Sequence, residues 1–391
     1  MKIGILHHSF REFGGAERVV VEQARWLRER GHEVTCFAAS FDPETVAGAE
    51  VRPFLFNLRL PKFRFAIPNA MNVLLSRLAC QKLKDLDVLL CHHEPAPIIA
   101  HKAGVEYGVP YLCYLHHPPR FLYPTPLQRQ LGWGHDYDRM AIQILSHTNP
   151  ALKKLDYSAV INARQVLVNS HVMASQIADI YRVNPTVCYP GIRTNGFSQK
   201  PEIDVEDGFL LTTGRHTPHK LLDVLLRIFS IASRQFPWLK LVVTGKPHEV
   251  YSRWLQMLTK RLSLDKQVIF TGHLIDEQLA WLYQNAIAYL YTPVNEDFGM
   301  GPVEAMAYGS PAIAWKDGGP CETILDGVTG FLVAPYDIKL FADRTCMLVG
   351  NERVREAMSY EAKKHVAKTF DWNVHGLQLE DCFMRAVADC P

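Results

Sequence analysis

The sequence predicts an α/β protein built from two doubly wound parallel sheets, and three observations carry that prediction. Short apolar runs bounded by turn residues recur along the whole chain. Helical stripes separate most of them, the pattern of parallel strands covered by helices on both faces. Midway, a polar stretch without periodicity at 191–208, containing Pro, Asn and acids, divides one series of strands from a second. A length of 391 residues also exceeds what one core of ordinary size organises and suits two domains.

The elements follow in order. The first strand is expected over Lys2–Leu6. A helix over Ala16–Arg30 follows, because Val19, Val20, Ala24 and Leu27 fall on one stripe and Gly31 ends it. Strands are then expected at Glu33–Ala38, Val88–Cys91, Tyr111–Leu115 and Val166–Asn169. The second series comprises Phe209–Thr213, Leu239–Thr244, Gln267–Thr271, Ala288–Tyr291, Ala312–Ala314 and Gly330–Val333. Helical patterns at Leu221–Gln235, Tyr251–Leu262, Asp276–Asn285 and Val303–Tyr308 separate most of these strands. The tail Asp371–Asp389 reads as one last helix, with Trp372, Leu377, Leu379 and Phe383 as its apolar residues. The expected boundaries are an N-terminal domain at 1–190, a linker at 191–208 and a C-terminal domain at 209–370.

Composition narrows the function classes. Apolar residues make up 48% and charged residues 21%, both globular values. A net charge of +2 gives no reason to expect a polyanion, so no nucleic-acid partner is expected. The nine cysteines never fall as CxxC and their number is odd. That argues against a zinc ribbon or a disulfide framework and fits a reducing compartment. MKIGILHHSF reads as a first strand rather than a signal peptide, and no window reaches 18 apolar residues. The expected location is therefore the cytoplasm.

Ligands of doubly wound sheets sit at the carboxyl ends of the strands, and the notable motifs cluster there. SFREFGGAER follows the first strand, with Gly14 and Gly15 just before a helix. Paired glycines let backbone amides approach an anion at a helix N-terminus, and a flexible turn is the plain alternative. The dehydrogenase fingerprint GxGxxG is absent, which weakens a nicotinamide reading. TTGRHTPHK sets Arg215 and Lys220 five apart in a turn that opens a helix. A guanidinium fork and an ammonium suit a diphosphate there; two solvated surface cations are the alternative. NEDFGMGPVE places Glu296 on a loop and Glu304 in the first turn of the next helix, eight positions apart. The amides of Phe298–Gly301 can face a sugar or phosphate, Glu304 two ribose hydroxyls, and Glu296 a hexose; a capping carboxylate is the alternative for either acid.

Taken together, GGAER, HHPPR, GRHTPHK, EDFGMGPVE and GGPCETILDGVTGFL, in this order and at these separations, resemble family 4 of the retaining glycosyltransferases of the GT-B fold. DPETV at 42–46, NSH at 169–171 and GGP at 318–320 look like the bacterial polysaccharide enzymes and dolichol-linked mannosyltransferases of that family. The resemblance runs nearly end to end. It implies two Rossmann-like domains facing a cleft, with the nucleotide sugar held mainly by the C-terminal domain and the acceptor by the N-terminal one. Arg215 and Lys220 would hold the diphosphate, Glu304 the ribose and Glu296 the transferred sugar. Gly299 and Met300 would offer amides, beside Phe298. Gly272, His273 and Leu274 would meet the base, and Gly14 and Gly15 the diphosphate from the opposite wall. His116, the first of the pair in YLHHPPR, matches the histidine beside the reacting carbon; a buried structural histidine is the alternative. The last helix would cross back to complete the N-terminal domain over 371–391.

The implied activity is transfer of a hexose, UDP-hexose favoured and GDP-mannose the runner-up, to a glycan or lipid-linked glycan. The implied chemistry retains anomeric configuration and needs no cofactor and no metal, the cations taking over that role. The DYD at 136–138 imitates a metal-binding motif of another transferase fold and is read as a helix surface. In other classes, a nucleotide-sugar 2-epimerase or a non-catalytic sugar-nucleotide sensor stays open. Finally, no acid lies between Val51 and Lys84, where Arg52, Arg59, Lys62, Arg64, Arg77, Lys82 and Lys84 interleave with Phe54, Leu55, Phe56, Leu58, Leu60, Phe63, Phe65 and Ile67. That pattern suits an anionic membrane surface and predicts peripheral association with its inner face. An inward-packed loop and helix with solvated cations is the alternative.

Overall fold

The structure, a computed structural model, describes residues 1–11, 14–42, 50–57, 71–124, 139–194, 196–205 and 208–388, of which 139–149 by backbone alone. Two compact units emerge: Met1–Gly191 together with Trp372–Pro391, and Ile192–Asp371.

The first unit holds a parallel sheet of β1 (Lys2–Phe10), β2 (Glu33–Phe41), β3 (Val51–Pro53), β4 (Val88–Cys91), β5 (Tyr111–Leu115), β6 (Gln165–Val168) and β7 (Thr186–Val187), in the order β3-β2-β1-β4-β5-β6-β7. The period of two along each strand sends neighbouring residues to different cores. Ile3, Ile5, Val88 and Leu90 pack with Val19, Val20 and Leu27 of the first helix, while Leu6, Leu89 and Cys91 pack with Ile99 and Ala103 on the other face. Continuous apolar runs such as YLCYL are the consequence of burial on both faces.

Helix Trp372–Ala388 packs on this first unit. Trp372, Leu379 and Phe383 join the core of Val19 and Leu27. The indole of Trp26 lies against the helix backbone: a Cβ at Gly376 would meet the ring at 2.2 Å. Around that contact Trp26 Nε1 donates to Asn373 Oδ1 at 3.1 Å, and Arg30 and His32 reach Glu380 at 3.2 and 2.9 Å.

The second unit carries β8 (Phe209–Thr213), β9 (Lys240–Thr244), β10 (Val268–Gly272), β11 (Ala288–Tyr291), β12 (Ala312–Trp315) and β13 (Gly330–Val333), all parallel, in the order β10-β9-β8-β11-β12-β13. In each sheet the unit's first strand lies beside its fourth, so each has a switch point where the connections change direction.

Several expectations change. β1 continues to Phe10, because His7, Ser9 and Phe10 stay in register with Ala38, Ser40 and Phe41. The stretch 192–208 belongs with the second unit rather than standing apart: Gln199 N donates to Glu277 O at 3.0 Å and the Lys200 ammonium lies 5.7 Å from the Trp281 ring centroid. Its polarity concealed that packing. Helices at Ala96–Tyr107, His171–Tyr181, Ile338–Gly350 and Glu352–Thr369 were not foreseen. Three of them carry legible start signals, since Ser170, Asp337 and Asn351 cap the amides of Met173, Leu340 and Val354.

Candidate functional site

In the second unit, Lys220 and Glu296 meet at the switch point. Lys220 closes the turn after β8, and Glu296 lies on the loop after the adjacent strand β11. The ammonium donates to Glu296 Oε2 at 2.9 Å and sits 5.6 Å from the centroid of the Tyr291 ring. Both side chains are about a quarter exposed, 22% and 24%. Burial works against the Glu296 charge, but the Lys220 ammonium, the hydrogen bonds from Lys220 and Tyr291, and His219 together outweigh it. They hold its carboxyl below the ordinary carboxylate range. The backbone below is pinned as well, since Thr292 Oγ1 donates to Lys220 O at 3.0 Å. Arg215 is exposed on the same turn.

The neighbouring strand ends are tied edge to edge. Gly214 N donates to Thr244 O at 3.0 Å, and Gly245 N to Gly272 O at 2.8 Å. Gly272 ends β10; after it come His273, which is exposed, and Leu274, which is half-buried. The predicted residues of the second unit therefore end or follow β10, β8 and β11 at the carboxyl edge, with β9 between the first two.

Glu304 departs from expectation. The helix runs Met300–Tyr308, starting three residues earlier than the apolar pattern indicates, so Glu304 is in its second turn. Gly299 is the N-cap with φ +86°, and Met300 opens the helix. The Glu304 carboxylate accepts from Tyr283 Oη at 2.8 Å, and Thr213 Oγ1 lies 3.0 Å from Tyr283 Oη and 2.8 Å from Tyr289 Oη. Gly301 makes room for this network rather than for a ligand: a Cβ there would lie 2.2 Å from Tyr289 Oη. Phe298 is buried against Phe370. The GGP motif locks the loop: Gly319 N donates to Glu296 O at 2.8 Å, and a Cβ on Gly319 would strike Phe298 Cα at 2.4 Å. Asn295 N also donates to the Asp317 carboxylate.

The first unit places Gly14 and Gly15 at the start of helix Gly15–Glu29, both exposed. There Glu17 intervenes: its Oε2 accepts from Gly14 N at 2.9 Å, while its Oε1 lies 3.1 Å from His7 Nε2. A carboxylate thus already holds the amide expected to meet an anion. Burial alone would raise Glu17, yet the His7 hydrogen bond and the charges of His7 and His8 hold it at about 2.

His116 follows β5 and is buried, with its Nε2 3.0 Å from His92 Nδ1 and its carbonyl accepting from Asn169 Nδ2 at 3.3 Å. It belongs to a cluster that sequence reasoning missed. The pair His7–His8 in the second half of β1, His92–His93 just after β4 and His116–His117 just after β5 lie on adjacent strands, with neighbouring ring centroids 4.4–5.9 Å apart. Burial, with neighbouring imidazoles assisting, pulls His8 down to about 3 and His92, His93 and His116 well below the usual histidine value. The available signal was the recurrence of HisHis after an apolar run, in ILHH, LCHH and YLHH. The Tyr283–Thr213–Tyr289 network had no comparable signal.

Of the basic-aromatic segment, residues 58–70 lie outside the described residues, as does the DYD at 136–138. What is described is mixed. Phe54 is buried against Phe37, Arg52 and Arg77 pair with Glu50 and Glu106, and Lys82 Nζ donates to Pro53 O. Phe56, Leu74 and Leu78 are exposed. Among the described residues no helix is long and apolar enough to cross a membrane.

Comparison with known proteins agrees with this arrangement. The chain is 27% identical over 427 residues to the alpha-1,3/1,6-mannosyltransferase ALG2 of Dictyostelium discoideum, covering 95% of each. It is 26% identical over 415 residues to a D-inositol 3-phosphate glycosyltransferase of Mycobacterium avium (strain 104), covering 96% of this chain and 90% of the relative. The solved structure of Anabaena Alr3699/HepE in complex with UDP-glucose superposes with a TM-score of 0.76 at 20% identity, over 98% of this chain and 100% of that one. The family model for Glycosyltransferase Family 4 matches residues 13–195, and that for Glycosyl transferases group 1 matches residues 194–365. The chain belongs to family 4 (group 1) of the glycosyltransferases and has their GT-B fold of two Rossmann-like domains.

Proposed function

We propose that this glycosyltransferase moves a hexose from a UDP-hexose to a glycan or lipid-linked glycan, with retention of configuration and without a divalent metal, in polysaccharide or glycoconjugate biosynthesis. The observation that carries the reading is the Lys220–Glu296 pair at the switch point, beside the amide-bearing start of the helix that holds Glu304. A diphosphate entering there meets Arg215 and an ammonium already oriented by a carboxylate, and helix amides add to the positive field. As the glycosidic bond breaks, those cations take up the charge on the leaving diphosphate. The leaving phosphate accepts the acceptor's proton as the hydroxyl attacks from the same face. Glu296 orients the sugar hydroxyls, and His116 is assigned its role at the reacting carbon by its place in the YLHHPPR motif.

A second donor, GDP-mannose, is favoured by one observation: relatives aligned over nearly the whole chain carry the name mannosyltransferase. Thermal-shift measurements with UDP, GDP and their sugars decide between them. UDP-sugars stabilising the chain more than GDP-mannose is the expected result; the reverse ordering overturns the UDP assignment. Transfer in EDTA and in magnesium is expected to agree within a few-fold, and an absolute magnesium requirement defeats the cation role of Arg215 and Lys220. Isomerisation or hydrolysis of donor with no effect of added acceptor would instead indicate an epimerase or hydrolase.

For the acceptor, the reading is a membrane-bound glycan reached from the inner face. Exposed Phe56, Leu74 and Leu78 support it, whereas the partners of Arg52, Arg77 and Lys82 weaken it. Each cation at an anionic surface contributes on the order of 1 kcal/mol. Changing Arg59, Lys62 and Arg64 to Glu is therefore expected to abolish low-salt co-sedimentation with anionic vesicles. Wild type that stays in the supernatant points to a soluble acceptor.

A further inference from the structure

The glycosyl-transfer reading leaves His7, His8 and Glu17 of the first unit without a task. We propose that these three residues form a binding site for one divalent transition-metal ion of the zinc class. One ligand atom from each already lies within 4.8 Å of the others. The closest two, His7 Nε2 and Glu17 Oε1, are 3.1 Å apart, near the roughly 3.3 Å that separates two ligands on a tetrahedral ion with bonds of about 2.0 Å. Two imidazoles and a carboxylate are a donor set that zinc accepts, with a position left for water or a further ligand.

The site is also built from fixed parts. His7 is fully buried, so its ring is held in place. Glu17 is also held from behind: Oε2 accepts the Gly14 amide at 2.9 Å, which leaves Oε1 facing the imidazoles. Oriented ligands of that kind are what metal sites use. The ion would sit at the carboxyl end of β1, in a different unit from Arg215 and Lys220. Zinc binding and EDTA-resistant transfer are separate measurements, so this proposal and the transfer reading can fail independently.

The test is calorimetric titration of the untagged full chain, stripped with EDTA and desalted, with Zn2+ near pH 7.5. One ion per chain is expected, with His8→Gln and Glu17→Gln each weakening binding at least about tenfold. His101→Gln, a histidine outside the cluster, is expected to bind as wild type does. Co2+ in place of Zn2+ should give visible absorption bands of a four- or five-coordinate site, lost in the same variants. Circular dichroism checks folding, and Glu17→Gln, which keeps shape, serves if His8→Gln does not fold. Absence of saturable Zn2+ binding overturns the proposal, as does binding that Glu17→Gln leaves unchanged.

Discussion

The two sheets share one topology and solve their switch points in opposite ways. Between β8 and β11 stands a charged pair, Lys220 and Glu296, each keeping about a quarter of its side chain in solvent. Between β1 and β4, and onward to β5, stands a cluster of imidazoles, of which His8, His92, His93 and His116 are pushed toward the neutral form by burial. A charge survives at a crevice when a partner is within hydrogen-bond reach and water is near; without these, desolvation removes it. The second unit thus keeps a charged pair at its crevice. The first keeps its buried imidazoles toward the neutral form.

Breaking each switch point in turn gives the largest expected effect. Glu296→Ala leaves Lys220 without its carboxylate, and His116→Ala removes the ring that His92 holds. Each is expected to lower turnover by roughly 10²-fold or more, the usual loss for one preorganised polar group. Nucleotide affinity, measured by calorimetry, should change little in either. A variant that instead loses affinity with turnover intact would move its residue from the reacting sugar to the nucleotide.

Glu304→Ala sharpens the comparison within the second unit. Its carboxylate is anchored by Tyr283, so its position is fixed before a ligand arrives. Nucleotide binding is expected to weaken by about 1–3 kcal/mol, the cost of hydroxyls left unpaired, with kcat at saturation nearly unchanged. A fall in kcat without loss of affinity would exchange the roles of Glu304 and Glu296.

What was legible in the sequence follows the same division. The second sheet and the central strands of the first were readable because strands buried on two faces must be continuous apolar runs, as AYLY and YLCYL are, whereas the short edge strands β3 and β7 were not foreseen. The charged site was readable because Glu296 and Glu304 lie on one loop and helix, and Lys220 sits in one turn after a strand. The imidazole cluster was not, although its residues come as three pairs. His7, His92 and His116 become neighbours only because β1, β4 and β5 are adjacent, an order that no local pattern states. Glu17 was overlooked for a related reason. Read as part of a glycine motif it is a helix-surface acid; in three dimensions it caps Gly14 and reaches His7. The helices beginning after Ser170, Asp337 and Asn351 could have been found from their caps, since their weak apolar stripes hid them and their start signals did not.

The smallest expected effect concerns acid stability, and it again separates the units. His375, on the last helix, is buried with its Nδ1 2.7 Å from Tyr189 O. Gln23 Nε2 lies 3.0 Å from its Nε2, Cys188 Sγ is 3.3 Å from Nδ1, and the rings of Tyr114 and Trp372 pack against it, with His92 and His116 close enough to oppose its charge. Burial lowers its pKa to about 4, although the contact with the Tyr189 carbonyl works the other way. The unfolded chain, with an ordinary value near 6.5, binds that proton first, so stability rises with pH through this window. The contribution is fully present above about pH 6.5 and drains away as pH falls toward 4. Glu296 has the same sign in a lower window: its stabilising effect is complete above the ordinary glutamate value near 4.3 and is lost only below it. Acidification from pH 7 to 5 is therefore expected to weaken the first unit through His375, together with His8, His92, His93 and His116, while the Lys220–Glu296 pair stays intact. In melts at both pH values, His375→Gln should narrow its gap to wild type by a few degrees at pH 5, whereas Lys220→Met should keep its gap unchanged. A His375→Gln gap that is the same at both pH values would mean that the ring does not lose its charge on folding, and the contrast between the two units would fail at this residue.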